Sequence, residues 1–152
     1  MPEYCDERDK FGKKIIDELK VKLLKLKDEL DSKGHQVKLI AIIGSFARGD
    51  WKKSSDIDIL LVCENISGPY WKRLDLPPIL IQGHAVEYHI YSPQEIKILA
   101  EDSRMIIYDF FHSGIIIYAD NDFLAEIRDI FRNALQRLKV IRRGNIIIRE
   151  IE

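Results

Sequence analysis

Between residues 6 and 33 the apolar side chains recur at steps of three and four. Phe11, Ile15, Leu19, Leu23, Leu26 and Leu30 are separated by lysine and glutamate. That period predicts one long amphipathic helix ending near Gly34. The pattern then changes. QVKLIAII is an apolar, isoleucine- and valine-containing run that predicts a strand, halted by Gly44-Ser45. Residues 46–50 read as a short helical turn, and after Ser54-Ser55 the run DIDILLV predicts a second strand. Residues 64–83 hold Gly68, Pro69, Pro77 and Pro78 and read as a connection, with a helical turn near residues 70–74. HAVEYHIYS predicts a third strand. Ser92 then stands as an N-cap before Pro93, with Glu95 and Glu101 in the next helix. A further helical stretch covers residues 104–111, broken by Ser113-Gly114, and Ile115–Ala119 reads as a short strand. Asn121 or Asp122 is expected to cap a last amphipathic helix that carries Phe123, Ile127, Ile130, Ala134, Leu138 and Ile141 on one face and ends at Gly144. NIIIREI comes after it as a strand candidate.

Strands interleaved with helices over 152 residues predict an α/β (α+β) fold. The expectation is a single domain over residues 1–152, with a mixed sheet of about four to five strands flanked by helices. No internal repeat or low-complexity tract interrupts it. Hydrophobic residues make up 46% and charged residues 32%, with a net charge of −1. That balance fits a globular chain and gives no electrostatic footprint for extended nucleic acid. No apolar run approaches the roughly 20 residues of a membrane span, and the first ten residues lack the apolar core of a signal peptide. Cys5 and Cys63 lie far apart and form no metal-ligand pattern, so a reducing cytoplasm is expected. The charge content, the preference for isoleucine and the few Gln, Met and Cys lean towards a heat-adapted, thermophile source.

The chemistry concentrates in IIGSFARGDWKKSSDIDILLV, residues 42–62. Asp56 and Asp58 lie in a run that otherwise reads as a buried strand, where a carboxylate is costly unless solvated, paired or metal-bound. One reading makes them the polar face of an exposed edge. The other notes that Gly44 and Ser45 end the preceding strand, where a glycine lets backbone amides approach an anion and a serine adds a donor. Phosphate donors and paired carboxylates at adjacent strand ends describe a metal–triphosphate site. A Walker loop does not fit, because no Lys-Ser/Thr comes after the second glycine of GSFARGDW, and no G-x-G fingerprint is present.

Gly44-Ser45, ten residues, then Asp56-x-Asp58 resembles the signature of the nucleotidyltransferase superfamily related to DNA polymerase β. GSFARGD and SDIDILLV are most similar to its small prokaryotic members, the minimal nucleotidyltransferases. The resemblance runs from about residue 39 to residue 99, within a core motif region of about 36–100, and FFHSGIIIYAD has the look of the family's C-terminal part. Glu87 in AVEYHIYS is the candidate third carboxylate, where many small members carry Asp; Asp75, in the Pro-rich connection, is a poor substitute.

The resemblance implies two Mg²⁺ ions, with Mn²⁺ as an alternative, held by Asp56, Asp58 and Glu87, the last as ligand or as base. Gly44 and Ser45 would hold the β- and γ-phosphates of ATP or another NTP. Arg48 is a further phosphate candidate, beside the alternative of a solvated loop arginine. Lys52 and Lys53 read as a solvated turn. His89 shares the face of Glu87 and is set aside as a structural or supporting residue. His35, His84 and His112 have no zinc spacing. Arg128, Arg132, Arg137, Arg142 and Arg143 read as the solvent face of the last helix, balanced by Glu126 and Asp129. Residues 146–148 are expected to pair inside the sheet or across a homodimer. The expected activity is transfer of a nucleoside monophosphate to a hydroxyl of a partner protein, an RNA or a small molecule. Small members occur beside helical HEPN-type partners, which implies an antitoxin that adenylylates its toxin. The alternative is a catalytically silent module of the same fold acting by occlusion.

Overall fold

The computed structural model describes residues 3–69, 72–140, 142–143 and 146–147. Helix α1 (Glu3–Ser32) is followed by β1 (Val37–Ile43), α2 (Gly44–Arg48) and β2 (Ile57–Cys63). A short β3 (Leu80–Ile81) precedes β4 (His84–Tyr91), then α3 (Pro93–Glu101), α4 (Met105–Ser113), β5 (Ile115–Ala119) and α5 (Asn121–Val140). The two-residue strands β6 (Arg142–Arg143) and β7 (Ile146–Ile147) come last.

Five strands form one mixed sheet in the order β3-β4-β2-β1-β5. β1 runs antiparallel to both β2 and β5, whereas β2 and β4 are parallel. The sheet is covered on both faces, which is why VKLIAII and IDILLVC read as nearly continuous apolar runs. One face packs Ile40, Ile42, Ile57, Ile59 and Leu61 against Ile15, Leu19, Leu23, Leu26 and Leu30 of α1. The other packs Leu39, Ala41, Ile43, Leu60 and Val62 against α3, α4 and α5 through Ile96, Ala100, Ile107, Phe110, Phe123, Ile127 and Phe131. By alternation Asp58 belongs to this second face, the side on which α4 lies. The expected α/β fold with a four- to five-stranded mixed sheet and flanking helices is the one observed.

Several details differ from expectation, among them Arg142 and Arg143, expected on the solvent face of the last helix, which lie in β6 beyond α5 (Asn121–Val140). β3 lies inside the stretch read as a connection. It folds back onto β4 through Gln82 and Gly83, both at positive φ (51° and 85°), the geometry of a two-residue hairpin turn. The cap of α5 is Asp120, not Asn121 or Asp122: its Oδ1 accepts from the Phe123 amide at 3.0 Å, and that bond holds the carboxyl below its ordinary value. Phe131 takes a core place on α5 that periodicity alone assigned to Ile130, which sits at the margin. Residues 146 and 147 pair with Arg142–Arg143 in a ladder of their own. Ile141, Gly144 and Ile148 lie outside the described residues, as do positions 70 and 71 of the expected turn; the Lys72 amide does donate to the Pro69 carbonyl at 2.9 Å.

The start of α3 is as the sequence predicts. The Ser92 side chain accepts from the Glu95 amide at 3.2 Å, and Glu95 Oε1 accepts from the Ser92 amide at 2.9 Å, a reciprocal cap with Pro93 in the first turn. Glu95 also accepts a two-pronged contact from Arg73, which ties the connection to this helix. No helix among the described residues is long and apolar enough to cross a membrane.

Candidate functional site

The site lies where β1 ends. Ile43 pairs with Asp58 across the antiparallel ladder, and Asp58 pairs with Glu87 across the parallel one. Neighbouring strands are about 4.8 Å apart, so this register sets the two carboxylates side by side. His89, two residues past Glu87 on the same face, brings Nε2 to 3.2 Å from Asp58 Oδ1. Ligand atoms of Asp58, Glu87 and His89 all lie within 4.8 Å of one another. Asp56 is outside that group: it precedes β2 and is exposed.

The chain reaches this geometry through a turn that only glycine fits. Gly44 has φ +74°, and a Cβ placed there would lie 2.5 Å from Asp58 Oδ2. Ser45 comes next, in the first turn of α2, whose Phe46 is buried. Phe46 stacks on Trp51 at 5.0 Å, Trp51 leans on Phe11 of α1, and both rings meet the edge of buried His84. His84 Nδ1–H donates to the Ser55 carbonyl at 2.7 Å. These contacts pin the loop between α2 and β2 at both ends. Lys52 and Lys53 within it are exposed, the Lys52 amide donating to Ser55 Oγ, which is the solvated turn the sequence predicts.

An open pocket of about 580 Å³ borders the group, lined by Gly44, Arg48, Asp58 and His89 on one side and by Met105, Tyr108, Asp109 and His112 of α4 on the other. Asp109 is a residue that sequence reasoning missed. The Gly44 amide donates to its Oδ2 at 3.0 Å, and Arg48 Nη1 to its Oδ1 at 3.3 Å. Arg48 also pairs with Asp50 at 3.4 Å, and 44% of its side chain is exposed, so these ion pairs steer it more than they stabilise the fold. Of the expected site residues, the structure thus gathers Gly44, Arg48, Asp58 and Glu87, adds His89 and Asp109, and leaves Ser45 in α2 outside the pocket lining and Asp56 at the entrance to β2.

Two carboxylates and an imidazole make a donor set suited to a divalent cation, and the absence of a Cβ at Gly44 gives Asp58 the room it occupies. The model of the nucleotidyltransferase domain family matches residues 23–117, from α1 through β5. The chain belongs to the nucleotidyltransferase domain family. A stretch of 48 residues is 50% identical to the Methanocaldococcus jannaschii protein named "Putative protein adenylyltransferase MJ1215". It amounts to 32% of this chain and 55% of that protein, so the chain spans about half the length of that relative. Among solved structures, a crystal structure of a toxin–antitoxin with AMP-PNP is similar at 14% identity and a TM-score of 0.45, over 81% of this chain and 89% of the other.

Proposed function

We propose that this nucleotidyltransferase moves a nucleoside monophosphate, AMP from ATP in the first instance, onto a hydroxyl of a separate acceptor. The observation that carries the reading is the pairing of Asp58 with Glu87 on parallel neighbouring strands, directly beside the Gly44 turn. Asp58 and Glu87 would hold the metal, with Asp56, two residues before Asp58, as a further ligand and His89 as the hydrogen-bond partner of Asp58. Divalent metal, Mg²⁺ or Mn²⁺, would supply charge neutralisation of the triphosphate and a lower pKa at the attacking hydroxyl. The chain's own groups do the rest. The Gly44 turn, the Ser45 hydroxyl and Arg48 orient phosphate oxygens, and Glu87 is the exposed carboxylate able to take the acceptor proton.

The acceptor is proposed to be a partner macromolecule. A helical toxin of the HEPN type is the partner class proposed, with this chain as its antitoxin. The test is label transfer from α-phosphate-labelled ATP with Mg²⁺, using the purified protein together with whatever co-purifies from its host. A labelled band that disappears in Asp58→Asn supports the reading and names the acceptor class. Label that survives Asp58→Asn refutes it, and metal-dependent ATP binding without transfer favours partner occlusion instead.

A further inference from the structure

The nucleotide reading leaves one carboxylate of the pocket without a task. Asp109 sits on α4, far along the chain from the Gly44 turn, yet it is held by three donors: the Gly44 amide at 3.0 Å, Arg48 Nη1 at 3.3 Å and its own helix neighbour Ser113 Oγ at 3.3 Å. A backbone amide and a guanidinium are the donors that bind a phosphate oxygen pair, and a carboxylate satisfies them with the same charge and a similar bite. Asp109 also faces the pocket that Asp58 lines, so it adds negative charge where a triphosphate has to arrive.

We propose that Asp109 is an internal anion seated on two phosphate donors, the Gly44 amide and Arg48, and that an incoming triphosphate takes both over from it. The displaced carboxylate keeps the Ser113 hydroxyl as its partner. Asp109 is then a positioning residue with two effects. It keeps the Gly44 amide satisfied and the turn in register while the pocket holds no nucleotide. It also sets the affinity threshold, because every phosphate bound at those donors displaces a like charge that stays nearby. No covalent step is involved. The proposal rests on the reading of the pocket as an NTP site, and its test separates the two.

The experiment is calorimetric titration of the full chain with tripolyphosphate in EDTA, and with ATP and Mg²⁺, in wild type, Asp109→Asn and Asp109→Glu. Asparagine keeps a carbonyl acceptor for the Gly44 amide and removes the charge; glutamate keeps the charge. The expected result is tripolyphosphate binding about fivefold tighter in Asp109→Asn, the effect of one screened charge pair, with Asp109→Glu close to wild type. Unchanged or weaker binding in Asp109→Asn, with ATP still bound, overturns the proposal and leaves the nucleotide site standing. No ATP binding in any of the three proteins removes the NTP reading and this proposal with it. Should Asp109→Asn fail to fold, wild-type NMR decides. The Gly44 amide and the Asp109 side-chain carboxyl carbon are expected to shift together on adding tripolyphosphate. A stationary Asp109 signal at saturation overturns the displacement.

Discussion

Gly44→Ala separates backbone strain from the position of a carboxylate. At φ +74° an L-residue costs about 1–2 kcal/mol in the left-handed region. A Cβ at that position would also lie 2.5 Å from Asp58 Oδ2 and 3.3 Å from its Cγ. The atoms in the way are the end of a side chain, so the cheap relief is rotation of Asp58. That rotation moves Oδ1 away from His89 Nε2, now at 3.2 Å, and breaks up the group with Glu87. Gly83 supplies the control: its φ is +85° and nothing lies within 4 Å of a Cβ there. Both alanine variants are expected to lose about 1–2 kcal/mol in urea unfolding, which for a chain of this size corresponds to roughly 2–8 °C in Tm. Only Gly44→Ala is expected to lose Mn²⁺ affinity, by about tenfold or more, the usual effect of misorienting a metal ligand. Equal Mn²⁺ affinity in Gly44→Ala and Gly83→Ala would refute the reasoning that this glycine exists to make room for Asp58.

Two further outcomes rest on named contacts. If His89 is a ligand and not only a hydrogen-bond partner of Asp58, Mn²⁺-loaded protein shows the electron spin-echo modulation of a coordinated imidazole nitrogen and His89→Gln does not; the same modulation in both excludes His89. The Arg73 hydrogen bonds hold the Glu95 carboxyl below its ordinary value. A depressed folded pKa contributes stability that is present above the unfolded pKa, about 4, and is lost as pH falls through the folded one. Arg73→Met should therefore flatten the fall of the urea midpoint below about pH 4, and an unchanged slope would show that this pair does not carry it.

The core was legible because its signals are local. Steps of three and four placed Ile15, Leu19, Leu23, Leu26 and Leu30 on one side of α1, and all five are buried. The isoleucine and leucine runs of β1 and β2 announced a sheet covered on both faces. Ser92, Pro93 and Glu95 form a cap within four residues. Misses arose where tertiary packing overrode a local choice. Asp120 caps α5 ahead of Asn121 where its amide donates to the Lys38 carbonyl of β1 at 2.8 Å, with Lys38 Nζ 3.6 Å from its carboxylate. β3 has only two residues, too few for any period, and exists because the Gln82-Gly83 turn folds it onto β4.

The site divides along the same line. Gly44 and Asp58 were legible from spacing because they end and begin consecutive strands of one antiparallel pair, so their distance along the chain encodes their distance in space. Glu87 needed the parallel pairing of β2 with β4, which spacing cannot give; alternation only said which residues would accompany it, and His89 was among them. Asp109 had no signal at all. A lone aspartate in an apolar helix, MIIYDFFHS, reads as a solvent-facing residue, and only the packing of α4 against the end of β1 turns it towards the Gly44 amide. The residues on the β1–β2 strand pair can therefore be found by motif, while those that tune the site come from helices whose docking is non-local. That division predicts where relatives with the same motif will differ. Gly44 and the strand carboxylate are bound together by one steric fit, whereas the α4 position carries no such constraint and is free to vary.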